Sequence, residues 1–125
     1  MREGISAVVN AQTDMTVVGD ASDGEQAIKR FRQLLPDVSL VDWNLPVISG
    51  EGVLAELTAE FPKARFIVIT ALNDGESVRR AFSRGARAFL HKDLLRRELL
   101  PAIRAVHEGR KYITKNIEGQ LKEGD

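Results

Sequence analysis

Four short β-forming runs, each parted from the next by a helix-length stretch, leave this chain few architectures. They are Thr16-Val17-Val18-Gly19, Val38-Ser39-Leu40-Val41, Phe66-Ile67-Val68-Ile69-Thr70 and Ala88-Phe89-Leu90. Their centres lie roughly two dozen residues apart, too far for hairpins and suited to strand–helix–strand crossovers. The second and third runs are apolar without clean alternation, as parallel strands covered on both faces require.

The intervening stretches carry helical periodicity with readable ends. Ile5, Val8 and Val9 form a short opening stripe. Ser22 and Glu25 have capping-box spacing before Ala27, Ile28, Phe31, Leu34 and Leu35, and Pro36 marks the stop. Val53, Leu54, Leu57 and Phe61 end at Pro62; Val78, Ala81 and Phe82 follow a cap at Asn73 and Glu76 and close at Gly85. Asp93 is placed to cap a last helix through Leu95, Leu99, Ile103 and Val106, stopping near Gly109. The series predicts an α/β fold of parallel strands with flanking helices. After Arg110, the residues Tyr112, Ile113, Ile117 and Leu121 predict a further amphipathic helix or a linker.

Composition removes several classes of function. At 125 residues the chain suits one domain. Eighteen basic residues balance eighteen acidic ones, so no general pull toward nucleic acid or anionic lipid exists. Without cysteine there is no disulfide frame, thiolate metal site or cysteine nucleophile, and two histidines, His91 and His107, make no histidine metal centre. No apolar run is long enough to span a bilayer or to read as a signal peptide, so the expectation is a cytoplasmic protein without membrane contact.

In open parallel sheets, reactive groups gather beyond the carboxyl ends of the strands. Asp42 follows the second run, Thr70 closes the third, and Lys92 comes just after the fourth. Neighbouring strands lie about 4.8 Å apart, so the three side chains can converge. A carboxylate, a hydroxyl and an ammonium suit an aspartyl phosphate: the carboxylate attacks phosphorus, and the other two bind the phosphoryl oxygens.

These residues resemble a family. Val18-Gly19-Asp20-Ala21-Ser22-Asp23-Gly24-Glu25, Pro36 to Asp42, Leu45-Pro46 with Gly50, Ile69-Thr70-Ala71, Gly85-Ala86, Phe89 to Asp93 and Ala102 to Val106 are similar to the receiver domain of bacterial two-component response regulators. The likeness is to the CheY-like fold and especially to NarL/LuxR-type transcription regulators. It implies Asp42 as phosphoacceptor, Thr70 as switch hydroxyl, Lys92 as phosphate-binding lysine and Phe89 as the aromatic that swings inward on activation. It further implies Mg²⁺ held by Asp42 and the Asn44 backbone carbonyl, and room for the phosphoryl group beside Ala71. The partners implied are a sensor histidine kinase and DNA, the latter only through an output domain outside this chain.

One departure bears on all of this. The family begins with an apolar strand ending in two acidic residues that hold Mg²⁺, whereas Met1-Arg2-Glu3-Gly4-Ile5 already matches its first helix. Residues 1–109 therefore read as an N-terminally truncated receiver domain, and 110–125 as a helix or linker toward an output module. With strand order 2-1-3-4-5, losing the first strand predicts a sheet of four strands or rearranged, swapped pairing, and with it a dimer or other homo-oligomer. Two alternatives stand beside the receiver. One is a degenerate pseudo-receiver working by phosphorylation-independent protein contact. The other is a small hydrolase or phosphotransferase, which needs a second carboxylate near Asp42 that the sequence does not offer. The arginines Arg79, Arg80, Arg84, Arg87, Arg96 and Arg97 read as a solvated face or a partner contact.

Overall fold

The computed structural model describes residues 2–71, 75–114 and 117–119. In chain order they form α1 (Arg2–Asn10), α2 (Gly24–Leu34), β1 (Ser39–Asp42), α3 (Gly50–Glu60), β2 (Phe66–Thr70), α4 (Gly75–Ser83) and β3 (Ala86–His91). A single 3₁₀ turn, Lys92–Leu94, then leads into α5 (Leu95–His107).

The strands pair in parallel in the order β1-β2-β3. Ser39 aligns with Phe66 and Asp42 with Ile69; on the other side Val68 aligns with Phe89 and Thr70 with His91. Each face of the sheet carries its own apolar layer. On one face Ile28 and Phe31 of α2, Val53, Leu54 and Leu57 of α3, and Val78 and Ala81 of α4 pack on Val41, Phe66, Val68 and Phe89. On the other, Val9 of α1 and Leu99, Ala102 and Val106 of α5 pack on Ile67, Ala88 and Leu90. The central strand is buried along its whole length, which is why its sequence shows no alternation.

The sheet thus has three strands among the described residues, not the four expected. Thr16–Gly19 belongs to no strand and makes no ladder. High β propensity does not make a strand without a neighbour to bond. In the 2-1-3-4-5 order this run pairs with the first strand and never with the one that β1 represents. The run is held instead by other means: the Val17 N–H donates to Asn10 Oδ1 at 2.9 Å, and Met15 and Val17 rest on the α1/α5 layer. Val18 is left 56 % exposed.

Two caps differ from expectation. Asp23, not Ser22, caps α2, its carboxylate accepting from the Gln26 N–H at 2.8 Å; a carboxylate also suits the positive end of the helix dipole. Asp93 does not cap α5, whose N-cap Leu94 makes no side-chain bond. Asp93 lies inside the 3₁₀ turn, and its own N–H donates to His91 Nδ1 at 3.1 Å. His91 caps the turn that carries Lys92. The cap expected at Asn73 lies outside the described residues.

Candidate functional site

Asp42 ends β1, and the loop behind it is fixed by close backbone contacts. The Trp43 N–H carries the ladder one step further, donating to the Ile69 carbonyl at 2.9 Å, and the Gly50 N–H returns to the Trp43 carbonyl at 3.0 Å. A Cβ on Gly50 would stand 2.5 Å from the Asp42 carbonyl oxygen, so only glycine allows α3 to start this near the strand end. At the far side of the loop the Gly24 N–H donates to the Pro46 carbonyl at 3.0 Å, and a Cβ on Gly24 would fall 1.9 Å from the Ile48 oxygen. The loop is clamped between two helix starts.

Within this frame the Asp42 carboxylate is oriented from both sides. Oδ1 accepts from the Asn44 N–H at 2.9 Å, an Asx turn. Oδ2 lies 3.1 Å from Lys92 Nζ, which arrives from the end of β3 across the intervening strand. The two side chains are 34 % and 30 % exposed, so the pair is open to an incoming group. At that exposure an ion pair adds little to stability. Each carboxylate oxygen keeps a further lone pair for bonding.

Thr70 ends β2, the strand between, one residue beyond Asp42's register partner Ile69. Among the described residues it is the one polar side chain in the buried core, at 0 % exposed. By strand alternation its side chain shares a face with Val68, hence with Phe89. Phe89 is 1 % exposed and lies inward. The structure therefore brings Asp42 and Lys92 into contact, sets Thr70 on the strand between them and buries Phe89 behind it. Of Asn44 it shows the amide, not the carbonyl, engaged with Asp42.

Mg²⁺ demands octahedral oxygen ligation with anionic help. No cluster of three or more acidic, histidine or cysteine side chains able to hold a metal occurs among the described residues, and each Asp42 oxygen already faces a donor. This donor set does not fit Mg²⁺. Three of the six arginines pair with carboxylates, Arg97 with Glu98 at 3.6 Å and the other two with Glu51. Arg80 Nε and Arg84 Nε lie 3.1 and 3.3 Å from Glu51 Oε2, and Arg80 above all holds the Glu51 carboxyl below the usual carboxylate range.

A family profile described as the response regulator receiver domain matches residues 1–104. The chain belongs to the response regulator receiver family. The receiver is 39 % identical over 109 residues to the uncharacterized transcriptional regulatory protein YxjL of Bacillus subtilis, covering 87 % of this chain and 50 % of that protein. It is 31 % identical over 122 residues to the oxygen regulatory protein NreC of Staphylococcus aureus, covering 97 % and 56 %. The receiver thus spans about half the length of these curated relatives. Among solved structures, a LuxR-family two-component response regulator from Aurantimonas superposes with a TM-score of 0.92 at 26 % identity, over 98 % of this chain and 88 % of that one. The receiver domain of the putative response regulator NarL from Mycobacterium tuberculosis gives 0.82 at 33 %, over 87 % and 88 %. This is a CheY-like receiver domain homologous to NarL/LuxR-type response regulators, and its place is in two-component signalling.

Proposed function

We propose that this receiver accepts a phosphoryl group on Asp42 from the phosphohistidine of a sensor histidine kinase. An Asp42 oxygen forms the new P–O bond as the donor's P–N bond breaks. The electron pair stays with the ring nitrogen, which takes a proton from water. Lys92 then pairs with the phosphoryl oxygens as a point charge, and the Thr70 hydroxyl bonds one of them. The observation that carries this reading is the 3.1 Å approach of Lys92 Nζ to Asp42 Oδ2 from two strands that do not adjoin.

Phosphorylation biases a surface near α4, β3 and α5 through Thr70 and Phe89, so the domain acts as a switch and is not itself an enzyme. Residues 110–125 lead toward an output module through which DNA is bound and transcription regulated, in the cytoplasm. The working unit is a homo-oligomer. Light scattering on the isolated domain is expected to give a mass above one chain, and a stable, folded monomer contradicts it.

A second reading is favoured by the misfit of the donor set to Mg²⁺: a degenerate receiver that acts by protein contact alone. Incubation with a small phosphodonor, with and without Mg²⁺, separates the two. A mass gain of one phosphoryl group that disappears in Asp42→Asn supports the first reading. A folded protein that never gains it supports the second.

A further inference from the structure

β3 ends at His91, the residue before Lys92, and His91 is aligned with Thr70 in the ladder to β2. From that anchored backbone the His91 ring reaches forward past Lys92. The Asp93 N–H donates to its Nδ1 at 3.1 Å. A bond from one side chain to the amide two residues on closes a small ring of atoms around the residue between, as in an Asx turn. The residue enclosed here is Lys92. Its carbonyl is tied as well, accepting from the Leu95 N–H at the end of the 3₁₀ turn. The backbone from which the lysine side chain departs is thus fixed on both sides, and one of the two ties is a histidine ring.

That departure decides where Nζ arrives. β1 and β3 do not adjoin, so the side chain passes over β2, and the two outer strands stand roughly 10 Å apart at two spacings of about 4.8 Å. Over such a span a rotation of the Lys92 backbone is magnified at the ammonium, which stands 3.1 Å from Asp42 Oδ2. A misplacement of about 1 Å at a reacting centre costs about a hundred-fold in rate. The ring itself has little freedom: it is half-buried and borders, with Leu94 and Glu98, a cavity of about 10 Å³, scarcely room for one water. Asp93 Oδ2 also lies 3.4 Å from Nδ1, but that carboxylate is exposed, where an ion pair is worth little.

We propose that His91 is a positioning residue for phosphoryl transfer: by accepting from the Asp93 N–H, its Nδ1 fixes the turn from which Lys92 reaches Asp42. The inference rests on the reading of Asp42 as phosphoacceptor. His91 acts through Lys92 and not by contact with the phosphoryl group. What the place requires is an acceptor, not a charge, because a ring nitrogen that accepts carries no proton. Asparagine supplies that acceptor, since its Oδ1 makes the same bond in an Asx turn, and leucine supplies none.

The rate at which the full chain gains a phosphoryl group from acetyl phosphate with Mg²⁺, read by intact mass, tests this, and protection of the β2 amides from hydrogen exchange shows that each variant is folded. His91→Leu is expected to gain the group about ten-fold to a hundred-fold more slowly than the parent, and His91→Asn to recover most of the lost rate. In a Lys92→Ala background His91→Leu is expected to change the rate by less than about two-fold, because the residue it acts through is gone. A ring that merely stabilised the fold would slow both backgrounds alike. The parent's rate in His91→Leu, a rate in His91→Asn as low as in His91→Leu, or equal slowing in the Lys92→Ala background overturns the positioning role and leaves the phosphoacceptor standing. A parent chain that gains no phosphoryl group overturns both. If His91→Leu does not fold, His91→Gln takes its place with the same expectation, its oxygen lying one bond too far out to close the same ring.

Discussion

Val47 sits at φ 69, a left-handed conformation that a β-branched side chain pays about 1–2 kcal/mol to adopt. The Ile48 N–H donates to the Pro46 carbonyl at 2.8 Å, so Pro46–Val47–Ile48 is a γ-turn with Val47 at its centre. The side chain is 74 % exposed and loses little packing if replaced. Val47→Asn is expected to stabilise the fold by about 1 kcal/mol in urea denaturation, since asparagine tolerates this region; a loss of stability contradicts the strain. Tyr112 supplies a second residue-level test. Its phenol is pushed up to about 12, first by the hydrogen bond to Glu98 and then by burial. The neutral phenol is the form the fold prefers. Its contribution is therefore full below the ordinary value of about 10 and fades as pH rises from there toward about 12. As the only tyrosine, it reports alone in phenolate absorbance. A midpoint near 12 that drops in Glu98→Gln is expected, and one near 10 in the parent chain contradicts the contact. Asp42 and Lys92 were legible because strand ends and strand pitch are encoded in short apolar runs. Val47 was not, because its conformation is imposed by the clamp of Gly24 and Gly50 on either side of the loop.

Among the elements, α3 and α4 are joined by Glu51, which accepts from Arg80 and Arg84. Its folded pKa lies below the ordinary 4.5, so the tie contributes above that value and is lost as pH falls through the lowered one. Glu51→Gln is expected to lower the urea midpoint at neutral pH and to reduce its decline in acid. An unchanged acid decline shows that other carboxylates govern it. The helices were legible from periodicity, and β2 and β3 from their apolar runs. Thr16–Gly19 was misread because propensity is local whereas pairing is not: what this run lacks is a neighbour, and no feature of its own sequence records that. The tail was half legible. Its spacing suggested a further amphipathic helix or a linker; Tyr112 bonds the edge of β3, Ile113 is 40 % exposed and Ile117 enters the core, while Leu121 lies outside the described residues.

At the scale of the whole molecule, two apolar layers hold three parallel strands so that their carboxyl ends present one carboxylate, one buried hydroxyl and one ammonium together. The chain belongs to the response regulator receiver family and spans about half the length of its curated relatives. The central proposal is chemical: that the phosphoryl group goes to Asp42 and to no other carboxylate. An acyl phosphate is reduced by borohydride to the alcohol with release of phosphate, which converts the modified aspartate to homoserine. After treatment with a phosphodonor and borohydride, peptide mass spectrometry is expected to find homoserine at position 42 alone. Homoserine at another aspartate, or none in a protein that remains folded, contradicts the account.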